Sequence, residues 1–266
     1  MKKLVTAFAL LFTVASFAQI AYLQYRHVHA EHEEKFIVRE TKHRSKVAKA
    51  AIKNGDMAGW SLWRKVGTLN SSDGSPNYVF VNSFDKLDQL DAEGVWDKAM
   101  KALGDVKVSE IETNSFTTTT FDYYVQQEAS IGGDYKYALV NYAKPKDRGA
   151  FIEENKTLWM PLHEATIKKG GGMSAWSISS VVYPRGNQDR FSVFTVDGFN
   201  KLSHVMDYMR YESPDPSTSD TASADATASA SAWNDVMSKT KMNEILPDGF
   251  QYSLIYERVM TITKDK

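Results

Sequence analysis

Four of the six histidines of this 266-residue chain fall within residues 27–43. His27 and His29 would share one side of a strand, and His29 and His32 would share a face if the chain is helical there. Imidazoles so spaced can hold a divalent ion. The same stretch is rich in Glu and Lys, where solvated polar residues gather, so no metal centre is expected. His163 stands apart, one helical turn after Trp159, with Pro161 between them and Glu164 beside it. Proline inside a helix removes a backbone bond and bends the axis, which could aim Trp159 and His163 at a space between helix and sheet. His163 then has the intrinsic pKa range for acid–base work. A kinked surface helix with an exposed histidine is the plainer reading of those residues. A third set lies on the strands: Arg26, with Asn141 at the matching position 115 residues later, would suit a small polar or aromatic ligand if both faced an interior lined with tyrosines. Strand alternation offers either Gln24 and Arg26 or Tyr25 and His27 to that interior, and does not choose.

Other chemistry is missing. The chain has no Gly-x-Ser-x-Gly elbow and no His-Glu-x-x-His, and Gly170-Gly171-Gly172 lacks the Lys-Ser/Thr of a phosphate loop. Cysteine is absent, which excludes disulfides, thiolate metal sites, a cysteine nucleophile and lipidation at a cysteine. No cofactor is implied. The formal charge of −1 comes without a basic run, so the footprint of nucleic-acid binding is lacking.

The first residues read as an export signal. Lys2 and Lys3 precede an apolar run from Leu4 to Phe17, and Ser16-Phe17-Ala18 puts small residues three before and one before a cut ahead of Gln19. Residues 1–18 are expected to be removed. The mature chain is then periplasmic or extracellular and has no membrane segment.

The elements that must position these residues occur twice. Tyr22 matches Tyr137, Phe36 matches Phe151, and Ile52-Lys53-x-Gly55 matches Ile167-Lys168-x-Gly170, all 115 apart. An extra glycine shifts the spacing to 116, so that Met57-Ala58-Gly59-Trp60 faces Met173-Ser174-Ala175-Trp176. A shorter loop restores 115 at Val81-Asn82-Ser83-Phe84 and Val196-Asp197-Gly198-Phe199. Register kept through two compensating changes points to an internal repeat. Each copy opens with a strand (20–28, 135–143) and continues into a helix. Its buried face recurs at Phe36, Glu40, His43, Val47 and Ala51 in the first copy, and at Phe151, Asn155, Leu158, Leu162 and Thr166 in the second. Gly55 and Gly170 fall where such helices end in a left-handed turn. Two strands follow (57–67 and 76–84; 173–183 and 189–197), then a second helix, opening at Asp85 in the first copy, and a closing strand (116–130; 250–263). Trp60 and Trp176 recur in both copies and read as core. A stretch of Ser, Thr, Ala and Asp near 214–232 interrupts the second copy and reads as a disordered loop.

The order β-α-β-β-α-β is the ferredoxin-like motif, so the fold expected is α+β: repeats at 19–132 and 133–266 with their sheets packed face to face as an intrachain barrel. With its strand, its Phe36 or Phe151 opening the helix, its Ile-Lys-x-Gly and its Gly/Ala-Trp strand, the chain resembles the dimeric α/β-barrel superfamily, nearest its NIPSNAP-like and antibiotic-biosynthesis-monooxygenase-like branches. That resemblance implies the fold more than any activity. Three functions are compatible with it: binding of a small ligand in or beside the barrel, a cofactor-independent oxygenase or isomerase using His163 with a tyrosine or Arg26, and a structural or interaction module. A pocket joining His163 to Arg26 or a buried tyrosine favours the enzyme; a lumen filled by aliphatic side chains favours the module.

Overall fold

The computed structural model describes residues 19–67, 74–91, 94–210 and 224–264; the expected export signal lies outside them. In the first half, β1 (Ile20–Val28) leads into α1 (Glu33–Arg39), a π-helical turn (Glu40–Arg44) and α2 (Ser45–Asn54). There follow β2 (Gly59–Lys65), β3 (Tyr78–Phe84), α3 (Val95–Met100), α4 (Val108–Ile111) and β4 (Thr117–Ile131). The second half has β5 (Tyr137–Ala143), α5 (Arg148–Glu154), a second π-helical turn (Asn155–Trp159) and α6 (Met160–Lys168). It continues with β6 (Met173–Tyr183), β7 (Val193–Phe199), α7 (Leu202–Met209), α8 (Ala224–Lys239), α9 (Met242–Ile245) and β8 (Tyr252–Thr263). Gly55 and Gly170 end the long helices at φ 83° and 78°, a conformation that costs glycine little.

All eight strands join in one closed antiparallel barrel, in the order β1-β3-β2-β8-β5-β7-β6-β4. Within each half the order is 4-1-3-2, and the halves are sewn together by β2 on β8 and β4 on β6. The sheets therefore do more than face each other across a core. Their edges are hydrogen-bonded, and closure leaves no edge strand open to another chain.

Alternation along the strands divides the apolar residues between three cores. Leu23, Tyr25, Val79, Val125, Val140 and Tyr142 belong to an inner core in the lumen. The opposite faces pack under helices, around Phe36, Trp60 and Tyr78 in the first half and around Phe151, Trp176 and Phe199 in the second. Trp60 and Trp176 are core residues at 4% and 2% exposure.

Three local expectations change. The helix expected to open at Asp85 is a 3-10 turn at Leu87–Asp91, with α-helix only from Val95. The stretch expected to be disordered over 214–232 is helical from Ala224; alanine at every second position there favours helix over coil. Residues 211–223 lie outside the described ones. Pro161 directly follows the second π-turn within one continuous helical run, so the irregularity beside it takes the form of a widened turn.

Candidate functional site in the cleft beneath the first-half helix

The outer face of the first half is not closed by its helices. Two adjoining hollows, of ≈ 220 and ≈ 330 Å³, lie between them and the sheet and share Asn82 and Trp96 as walls. The outward residues Gln24 and Arg26 of β1 and Asn82 of β3 form the floor, and the π-turn supplies Glu40 and Arg44 as the roof. A π-turn widens the helix by one residue and leaves carbonyls poorly matched to the next N–H. Here Thr41 Oγ1 donates to the Ile37 carbonyl at 2.7 Å and Ser45 Oγ to that of Thr41 at 2.6 Å, hydroxyl bonds of the kind that bend helices.

Glu40 is 4% exposed. Burial pushes its carboxyl up to about 7, against the opposing charge of Arg44 and a long hydrogen bond of 3.4 Å from Thr113 Oγ1. Glu40 can therefore hold or release a proton near neutrality. Arg44 makes no ion pair among the described residues. Asn82, 3% exposed, donates from Nδ2 to the Tyr22 carbonyl at 3.1 Å and to Gln24 Oε1 at 3.2 Å, while its Oδ1 is buried without a partner. Such an orphan acceptor costs on the order of 1–3 kcal/mol unless something donates to it. Arg26 donates through Nη1 to Asp122 Oδ1 at 2.5 Å and to the Tyr25 carbonyl at 3.0 Å. Tyr22 donates to the other oxygen of Asp122 at 2.7 Å, and burial, with that carboxylate, pushes its phenol up to about 12. Floor and roof of the cleft thus carry guanidinium groups, an unmet acceptor and a carboxyl that can keep its proton near neutrality.

The matching positions in the second half are satisfied among themselves. Asn141, opposite Arg26 in the repeat, donates to Asp197 Oδ2 at 2.8 Å and accepts from Ser253 Oγ at 2.6 Å. Burial holds Asp197 up to about 7. Asn155, in place of Glu40, donates to the Phe151 carbonyl at 2.9 Å. Trp159, in place of Arg44, donates to Glu154 at 3.2 Å and meets Trp233 edge-on at 5.8 Å. His163 stacks on Trp176, centroids 5.3 Å apart at 20°, and desolvation lowers its pKa to about 4.

Arg26 and Asn141 therefore face outward, not into the lumen, because β1 and β5 turn Tyr25 and Tyr142 inward. Arg26 lines the first-half cleft while His163 packs on Trp176 in the core under the second-half helices, so the constellation that would have joined them does not form. His27 Nδ1 is bonded to the Ser75 carbonyl at 2.8 Å and its ring meets that of His29 at 5.0 Å. His32 packs against Phe116. No group of three His, Cys, Asp or Glu among the described residues could hold a metal ion.

Sequence reasoning misses Glu40 and Asn82 as site residues, although signals exist. Glu40 falls on the apolar period Phe36-Glu40-His43-Val47, where a carboxylate is out of place. Asn82 is a polar residue in a Val-rich strand, aligned with Asp197.

No family model matches the chain, and no curated protein matches it. Among solved structures, it is similar to a candidate monooxygenase from Lactobacillus acidophilus NCFM, with TM-score 0.55 at 8% identity, covering 93% of this chain and 97% of that one. It is also similar to an anthrone oxidase-like protein, with TM-score 0.50, 13% identity and 95% of each chain covered. A mutant chlorite dismutase from Candidatus Nitrospira defluvii has TM-score 0.46 at 9% identity, with 90% of each chain covered. At 8% and 13% identity the likeness to the first two is one of fold alone, an α+β chain around a closed antiparallel barrel.

Proposed function

We propose that this chain is an exported protein, built as a tandem of two ferredoxin-like units within the dimeric α/β-barrel superfamily, that binds a small ligand in the first-half cleft. The observation that carries the reading is Asn82, which lines both hollows and whose Oδ1 is a buried acceptor without a donor, so that a small shift of its side chain would present that oxygen to a ligand. A ligand N–H or O–H there would recover a hydrogen bond the protein alone lacks. Arg26 and Arg44 favour an acidic oxygen on the same molecule, and Trp60, Phe80 and Trp96 favour a flat ring. A small aromatic or enolisable acid fits these demands best. The NIPSNAP-like and monooxygenase-like branches both remain compatible with that site.

The test is ligand-dependent stabilisation across a panel of aromatic and enolic acids, repeated with Asn82→Ala and Arg44→Ala. A ligand at 100 times its Kd should add about 2.7 kcal/mol, and both variants should reduce that gain. A panel that leaves wild type unmoved, or a hit indifferent to both substitutions, overturns the assignment.

Glu40 favours a second reading, a proton-transferring enzyme of the oxygenase or isomerase kind. A carboxyl poised near 7 beside the Arg44 guanidinium can take a proton from a bound C–H or O–H while the resulting anion is held. Isomerisation returns that proton to another carbon; oxygenation, with dioxygen as co-substrate, forms a C–O bond between the anion and dioxygen and returns the proton to the resulting peroxide. Glu40→Gln should keep ligand binding and abolish exchange of the ligand's acidic deuterium. Exchange undiminished in this variant removes the enzymatic reading and leaves binding.

A further inference from the structure

The barrel lumen holds a second space, distinct from the cleft because it lies on the opposite face of the same strands. Its volume is ≈ 480 Å³ and it shares no lining residue with either hollow of the cleft. Along β1, Ala21, Leu23 and Tyr25 step from mouth to floor. The strand register sets Ala21 beside Ser83, Leu23 beside Val81 and Tyr25 beside Val79. The wall is uncharged and mixed: Val125, Val140 and Val196 complete the ring, with the small polar side chains of Ser61, Ser83, Ser177 and Ser179 and the amide of Gln127 between them. The mouth is polar: Thr261, Thr263 and Asp134 are exposed, and Asp134 pairs with Arg258 at 2.6 Å. Beyond the floor, Tyr123, Phe191 and Phe194 pack around Tyr142 and close the far end.

The floor carries three phenols in a row. Tyr25 and Tyr142 hydroxyls are 3.0 Å apart, those of Tyr142 and Tyr256 3.2 Å, and all three residues line the cavity at 4%, 2% and 4% exposure. Each phenol has one proton to donate. Three donors share two hydrogen bonds, and none of the three hydroxyls has a further partner among the described residues. One proton of the row, on whichever hydroxyl carries it, is therefore left without an acceptor in the protein. Burial raises all three phenols well above their ordinary range, so the row stays protonated. A spare donor at the bottom of an uncharged, mostly apolar well asks for an acceptor that arrives on a neutral body.

We infer that the lumen binds a neutral, largely apolar molecule bearing one carbonyl-type oxygen, which enters oxygen first and receives the spare proton of the Tyr25–Tyr142–Tyr256 row. Neutrality follows from the wall, which has no charged side chain between the mouth and the floor; an ion there would have no counter-charge. Size follows from volume. An apolar cavity of about 150 Å³ accommodates one benzene, so the lumen takes a body of two to three rings or an equivalent chain. This site does not depend on the reading of the cleft, whose ligand is acidic and lies beyond the sheet.

The probe is a propionyl-naphthalene dye, neutral and bearing one ketone, whose emission reports both polarity and hydrogen bonding. It should bind wild type saturably with blue-shifted emission, and about fivefold more tightly than an alkyl-naphthalene of the same shape, the ratio that one hydrogen bond of about 1 kcal/mol supplies. The triple variant Tyr25→Phe, Tyr142→Phe, Tyr256→Phe removes every partner of the row together and should bring that ratio to one. Val140→Phe, within the wall, and Ser177→Trp, nearer the mouth, should each weaken the dye at least tenfold. These two variants carry the test should the triple variant fail to fold. Asn82→Ala in the cleft should leave dye binding unchanged. No saturable binding to wild type, a preference for ketone that survives in the triple variant, or loss of the dye in Asn82→Ala with Val140→Phe unaffected would each overturn the lumen site.

Discussion

Buried titratable groups tie the candidate site to pH. In the unfolded chain Glu40 ionises near its ordinary 4.5, whereas in the fold it keeps its proton to about 7. Between those values the native state holds a proton that the unfolded chain has lost, so stability falls as pH rises through the window and the loss is complete above it. Asp197, raised from 3.8 to about 7, pulls in the same direction. His163 does the reverse: the unfolded chain takes its proton near 6.5 and the fold refuses it until about 4, so stability falls as pH drops through that interval. Glu40→Gln should therefore match wild type near pH 4.5 and exceed it at pH 8, by about 3 kcal/mol at most. Urea midpoints at both pH values check this; a variant weaker than wild type at pH 8 would mean that the ionised carboxylate is stabilising. His163→Ala should cost about 1 kcal/mol at pH 8 through the lost stack on Trp176, flatten the limb between pH 6.5 and 4, and leave cleft ligands unaffected. An effect on ligand affinity in that variant would return His163 to the site. The sequence makes His163 conspicuous because its type and neighbours are rare in the chain, while Glu40 is hidden among eleven acidic and basic neighbours of an ordinary-looking helix over residues 31–49. What distinguishes Glu40 is burial, which a single glutamate does not advertise.

At the scale of elements, the strands and long helices are legible because alternation and the 3.6-residue period survive in both halves of the chain. Which strand face turns inward is not. A period of two is the same read from either side, so Arg26 and Tyr25 are equal candidates for the lumen until barrel closure decides between them. The π-turns at Glu40–Arg44 and Asn155–Trp159 lie 115 residues apart, yet no residue type within them marks them. Two consequences can be tested. The helix α8 is anchored by Val236, buried at 5%, and by Trp233 against Trp159, so only its distal part should be expendable. Replacing residues 214–230 by a short Gly/Ser link should leave the melting temperature within a few degrees, while Trp233→Ala should cost about 1–2 kcal/mol, the ordinary scale for losing a half-buried aromatic contact. A collapse on loop replacement would show that the segment packs on the barrel. The second test is the joint between the halves. A Cβ on Gly133 would run into the backbone carbonyl of Ser174, whereas one on Gly132 would meet nothing within 4 Å. Gly133→Ala should lower the melting temperature clearly and Gly132→Ala hardly at all; equal effects would deny the close approach of the joint to β6.

The whole molecule depends on closure. Each half, in the order 4-1-3-2, would by itself present two unpaired edges, β4 and β2 in the first and β8 and β6 in the second. It would also expose the face that now forms the lumen, with Leu23, Tyr25 and Val79 on one half and Val140, Tyr142 and Tyr256 on the other. In the intact chain, β2–β8 and β4–β6 pairing satisfies all four edges and the two apolar faces cover each other. Even the proposed lumen site is shared, since its row of phenols takes Tyr25 from the first half and Tyr142 and Tyr256 from the second. A half-chain therefore has both an edge that templates further strands and an apolar patch larger than soluble monomers tolerate. Expressed alone, residues 19–132 and 134–266 should aggregate or pair with copies of themselves, two identical sheets making a barrel of the same kind. Expressed together, they should be recovered as a one-to-one complex, because each edge then meets the partner it evolved beside. Sedimentation of the separate and combined halves decides the matter. Two well-behaved monomers, each with cooperative unfolding, would mean that the halves are independent domains and that closure contributes little to stability.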